Sequence, residues 1–98
     1  MLVSVVRGGG LGGPVVTTRV DTAALGPDAA ATLAGLVDGC RFDDRPPTGR
    51  PDGVRVELAV TDGAERRVRF DEHDPPEGAR ALVRWVLDQP AAERSVGR

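Results

Sequence analysis

Residues 54 to 61 read Val-Arg-Val-Glu-Leu-Ala-Val-Thr, and this run constrains the fold more than any other. Val54, Val56, Leu58 and Val60 alternate with Arg55, Glu57, Ala59 and Thr61. A period of two fits a strand with one buried and one wetter face. Asp62-Gly63 follows at once and is a strong hairpin turn. Val68 and Phe70 continue the alternation on a partner strand from residue 64 to 71. A hairpin with one apolar face has to be covered, so the rest of the chain must supply further strands or amphipathic helices.

Both are readable. Residues 2 to 7 form a strand in which Val3 and Val5 face one way and Leu2, Ser4 and Val6 the other. The β-branched run Val15 to Asp21 is a second strand, joined to the first by a short connection that favours an antiparallel hairpin. Pro27 suits the first turn of a helix and Asp28 its positive end. Ala29, Leu33, Leu36 and Val37 follow at helical spacing, and Gly39 is a natural stop. Cys40 and Phe42 return to the core, with Phe42 plugging one end. Asp43 to Gly53 holds three prolines, two glycines and five charges and is a loop. Asp74-Pro75-Pro76-Glu77 predicts a capped helix start, with Asp74 as N-cap and Glu77 at the third helical position. Ala79, Leu82, Val83 and Val86 give that helix its buried face, flanked by Trp85 and Leu87, and Pro90 ends it.

The order is strand, strand, helix, strand, strand, helix. The compact solution is an α+β fold: a four-stranded, mainly antiparallel sheet with both helices packed on one face. Residues 1–90 form a single domain, and 91–98, which carry no periodic signal, are expected to be a disordered tail. The chain has 98 residues and a net charge of −2, with 13 basic residues, all Arg. That balance argues against a general nucleic-acid binder. The absence of Lys beside abundant Ala, Gly and Val reads as a GC-rich coding bias. One cysteine gives no disulfide framework and no Cys-x-x-Cys site. The N-terminus lacks the pattern of a signal peptide and no apolar run approaches the length of a bilayer, so a cytoplasmic location is expected.

Residues 7 to 16, Arg-Gly-Gly-Gly-Leu-Gly-Gly-Pro-Val-Val, are the unusual stretch. Gly8, Gly10 and Gly13 spell the Gly-x-Gly-x-x-Gly of a dinucleotide-binding loop. That loop needs a helix to open at its last glycine, so that the helix N-terminus holds the pyrophosphate. Here Pro14 and a β-branched run follow, and no Lys is present for a P-loop. A plain turn needs one or two glycines rather than five, and Leu11 at the tip is apolar where tips are usually polar. An apolar residue on a narrow, backbone-rich finger has a shape that enters a groove or pairs with a partner's strand edge.

At these residues the chain resembles a family. The strand ending in Arg7, followed by Gly9-Gly10-Leu11-Gly12-Gly13, is similar to the Gly-Gly-aromatic-small-Gly signature of emfourin-like proteins. These are small proteinaceous inhibitors of protealysin and other thermolysin-like zinc metalloproteases. The likeness continues through Asp21 at the end of the second strand, the helix leading to Phe42 and the Pro-rich loop. It then takes in the strand Val54 to Thr61, Asp62-Gly63, the run Arg67, Val68, Phe70 and Asp71, and Leu82-Val83 with Trp85. It covers residues 2 to 88. Leu11 stands where the family has an aromatic, which keeps an apolar anchor with less contact area.

The resemblance implies a non-enzymatic inhibitor that acts by occlusion. Gly9, Gly10, Leu11, Gly12 and Gly13 would lie near the catalytic centre of the target, and the Pro-rich loop (Arg45, Pro46, Pro47) would make a second contact. The partner would be a thermolysin-like metalloprotease of the same organism, and the zinc would belong to the target. No cofactor, metal, catalytic residue, nucleic acid or membrane is expected for this chain, which would be a monomer when free. The alternative is a small adaptor domain that binds a different protein through its sheet.

The remaining chemistry-bearing residues have plain readings. His73, the single His, lies in Asp71-Glu72-His73-Asp74. A catalytic zinc usually takes three protein ligands, so a solvated link fits better. Glu72 or His73 could make a rim contact with a partner. Cys40, with no base beyond that one His, reads as core packing. Trp85 reads as a core or boundary residue. Arg66, Arg67 and Arg69, mixed with Glu65 and Asp71, read as the wet face of a strand.

Overall fold

Alternating valines build the centre of the molecule. The structure is a computed structural model and describes residues 1–9, 13–43 and 53–97. The elements are β1 (Leu2–Gly9), β2 (Val15–Asp21), α1 (Pro27–Asp38), β3 (Val54–Asp62), β4 (Ala64–Asp71), α2 (Ala79–Leu87) and β5 (Glu93–Gly97). A short 3-10 turn, Thr22–Ala24, links β2 to α1. The strands pair antiparallel throughout in one sheet of order β4-β3-β1-β2-β5.

The register collects the apolar positions on one face. Val3 and Val5 of β1 stand between Val20 and Thr18 of β2 and Val60 and Leu58 of β3. Across from Leu58 and Val56, β4 adds Val68 and Phe70. Leu33 and Val37 of α1 and Ala79, Leu82 and Val86 of α2 complete the same buried cluster. Both helices therefore cover one face, as the alternation predicts. Fully burying a Val, Leu or Phe side chain contributes roughly 1.5–3 kcal/mol, so this cluster dominates the stability.

Among the described residues no helix covers the opposite face. There Arg67 bridges Glu57 at 2.6 Å and Glu65 at 2.7 Å, Arg69 meets Glu57 at 2.9 Å, and Arg55 meets Asp71 at 2.8 Å. Pairs this exposed contribute about 0–1 kcal/mol each, so they keep the face wet more than they hold the fold. The arginine run divides by strand parity. Arg67 and Arg69 take this wet face, whereas Arg66 points to the helix side and lies 5.1 Å from the centre of the Phe42 ring.

Two expectations are corrected. The sheet has five strands, not four, because Glu93–Gly97, within the segment read as a tail, pairs along β2 from Arg19↔Glu93 to Val15↔Gly97. All five of its residues are exposed. It is held by backbone hydrogen bonds to an otherwise open edge, which leaves no trace in side-chain periodicity. The guanidinium of Arg94 also donates to the carbonyl of Leu87, one of the acceptors left free at the end of α2. The second correction is the start of α2. It begins at Ala79 behind Gly78, not at Pro75, and Asp74 closes a turn by donating its N–H to the Asp71 carbonyl at 2.8 Å. Residues 75–78 instead run past the end of α1, where Arg41 N–H reaches the Glu77 carbonyl at 2.9 Å. Gly78 has φ 83, and a Cβ there would fall 2.2 Å from the Gly39 carbonyl oxygen. Tertiary crowding decides this helix start against its local capping signal. The start of α1 follows its signal, with Gly26 as N-cap, Pro27 in the first turn and Asp28 behind it.

Candidate protein-docking site

The glycine segment leaves β1 at Gly9 and returns to β2 through Gly13 and Pro14. Gly9 also pairs with Val54, the first residue of β3. Gly9, where the glycine segment begins, and Gly53, where the Pro-rich segment ends, therefore lie side by side at one end of the sheet. Glu72, just after β4, joins them there by donating its N–H to the Val54 carbonyl at 2.9 Å.

Two of the glycines are explained by how closely the backbone passes at this end. A Cβ on Gly9 would lie 2.5 Å from the Gly53 carbonyl oxygen and 2.9 Å from Val54 Cα. A Cβ on Gly13 would lie 2.7 Å from the Gly9 carbonyl oxygen. Neither position has room for a side chain, so the base of the loop is pinned against β3 and closed on itself. The residues after Gly13 open β2 and not a helix, so the helix start that a phosphate-binding loop requires does not follow the last glycine.

The sequence-derived contact residues divide accordingly. Gly9 and Gly13 form the base just described. Gly10, Leu11, Gly12, Arg45, Pro46 and Pro47 lie outside the described residues. Arg7, two residues before the loop, points to the helix side of the sheet and forms an ion pair with Glu72. This pair ties β1 to the β4–α2 link at the loop end. It joins residues 65 apart in sequence, which no local pattern could reveal.

The other singled-out residues fall into structural roles. Cys40 is buried in the core cluster, and burial pushes its thiol above the ordinary 9.0, with the charge of Arg66 opposing only in part. A thiol shifted in that direction is a poor nucleophile at neutral pH. Trp85 and Phe42 pack half-buried against the core. His73 is exposed in the β4–α2 link. Among the described residues no three His, Cys, Asp or Glu side chains converge as metal ligands, and no helix is long and apolar enough to cross a membrane.

No curated protein and no solved structure matches the chain significantly. The Emfourin family model matches residues 5–87, from within β1 to the last residue of α2, and leaves β5 outside. That match spans most of the chain and includes the glycine loop, both hairpins and both helices, so the chain belongs to the Emfourin family, known as a family of protease-inhibitor domains.

Proposed function

We propose that this chain inhibits a thermolysin-like zinc metalloprotease of its own organism by seating the glycine-loop end of its sheet over the substrate cleft. The observation that carries this reading is the pairing of Gly9 with Val54, which sets the start of the glycine segment beside the end of the Pro-rich segment. Steric blockade needs no reacting group and no cofactor from the inhibitor. Leu11 suits the apolar specificity pocket of such a cleft, and the glycines around it let backbone approach backbone. A stable inhibitor complex buries about 1,200–2,000 Å² in total, or about 800 Å² on each partner. The whole domain exposes 5979 Å².

The test is an inhibition titration of a thermolysin-like protease encoded by the same organism, with a trypsin-like serine protease as control. Stoichiometric loss of activity in the metalloprotease alone is expected. Full activity of the cognate metalloprotease at saturating concentrations of the domain would overturn the reading and leave an adaptor role in its place.

A further inference from the structure

An open groove of about 600 Å³ runs between α2 and the helix-side face of the sheet. Val56 and Phe70 lie at its floor, Val83 and Leu87 form the α2 wall, and His73 and Pro75 stand on the far rim. It is continuous with the loop end, because Arg7 and Leu87 also line a second hollow together with Gly8, Gly9 and Pro14.

The charges around it are unbalanced. Arg7 and Glu72 neutralise each other. Arg80 and Arg84, one turn apart on α2, are exposed at the groove, and among the described residues their guanidinium groups have no hydrogen-bond or ion-pair partner. Four of the sheet arginines differ, since Arg7, Arg55, Arg67 and Arg69 have carboxylate partners, while Arg66 lies over the Phe42 ring and Arg94 donates to the Leu87 carbonyl. Like charges four residues apart also work against the helix that carries them. Against them stands one further acid of the lining, Asp88, which has no ion pair among the described residues. A protein of net charge −2 thus keeps a positive, partly apolar groove beside its loop end.

We propose that this groove receives an acidic, partly apolar segment of the same protease. Carboxylates would meet Arg80 and Arg84, and an apolar side chain would rest on Val83 and Leu87. The inference rests on the proposed inhibitor function and extends its interface from the loops onto α2. It also adds contact area to that of the two loops, toward the size a stable complex needs. Charges at such a rim act mainly on the rate of association and on its salt dependence.

The experiment measures association rates and inhibition constants for the cognate metalloprotease at low and high ionic strength. It compares the unaltered domain, Arg80→Glu/Arg84→Glu and Arg80→Lys/Arg84→Lys. Both side chains are exposed, so thermal melting should show both variants folded. The Glu pair should associate about tenfold more slowly at low salt, with the difference fading at high salt, and the Lys pair should keep the rate. If the Glu pair associates as fast as the unaltered domain with the same salt dependence, or if the Lys pair loses the rate equally, the acidic segment is refuted. Failure of the unaltered domain to inhibit is a separate result: it refutes the proposed function and removes the inference with it.

Discussion

Gly9→Ala puts the base of the glycine loop to the test. The new Cβ would face three backbone atoms: the Gly53 carbonyl oxygen at 2.5 Å, Val54 Cα at 2.9 Å and Arg55 N at 3.2 Å. Backbone in the central β1–β3 pairing cannot swing aside as a side chain can, so relief requires the terminal Gly9↔Val54 pair to part. Overpacking of this kind costs about 1–3 kcal/mol. For a domain of this size each kcal/mol lowers the melting temperature by roughly 4–8 °C. Total stabilities of about 5–15 kcal/mol leave the variant folded at 25 °C, so stability and inhibition can be read separately. Urea denaturation should show a lower midpoint with an unchanged slope. Inhibition of the metalloprotease should weaken about tenfold or more, because both loops are anchored at the displaced pair. Gly8→Ala next door is the control: its nearest neighbour is a methyl group of Val15 at 3.0 Å, which a rotamer change can move. A Gly9→Ala variant within about 0.5 kcal/mol of the parent and equally inhibitory would refute the pinned base, since surface changes away from such features stay within that range.

Leu11→Asp should abolish most inhibition while leaving the melting temperature nearly unchanged; undiminished inhibition by a folded variant would remove the loop tip from the interface. Gly78→Ala should cost about 2–5 kcal/mol, because a left-handed backbone and a 2.2 Å approach to Gly39 combine, whereas Gly35→Ala, with open space around an exposed helical site, should gain about 0.5–1 kcal/mol. Denaturation curves that move both variants the same way would contradict this. The raised Cys40 thiol makes the folded state retain its proton after the unfolded chain begins to lose it. Stability should therefore be unaffected by this group below pH 9.0 and fall as pH rises from there through the folded value, a slope that Cys40→Ala should flatten in pH-dependent melts. Deleting residues 93–98 removes no buried side chain among the described residues but bares the β2 edge, so sedimentation should show concentration-dependent self-association with only a modest loss of melting temperature. A strictly monomeric truncation would show that β5 does not guard that edge.

Much of this architecture is written in local pattern. A period of two along Val54–Thr61, with Asp62-Gly63 behind it, fixes a hairpin and its buried face before any contact is known. Pro27, Asp28 and the Leu33–Val37 spacing fix α1 in the same way, since propensity, capping and amphipathicity are properties of neighbours in the chain. The family signature, too, is a matter of residue order. What failed to show in the sequence depends on partners that the chain brings from afar. β5 has no apolar rhythm because its hold is the empty edge of β2. The start of α2 ignores the Asp74 cap because Gly78 must pass the end of α1. In the glycine run, five like residues look alike in sequence. Gly9 is singled out by a carbonyl 44 positions away, and Gly13 by the carbonyl of Gly9 itself. Arg80 and Arg84 could have been noticed as a like-charged pair one turn apart, but only packing shows that they flank an apolar groove opening toward the loop end. The sequence by itself determined the elements, the buried face and the family, because these follow from short-range spacing. The tertiary structure alone decided the fifth strand, the helix start, the pinned loop base and the charged groove, because each is a close approach between segments far apart in the chain.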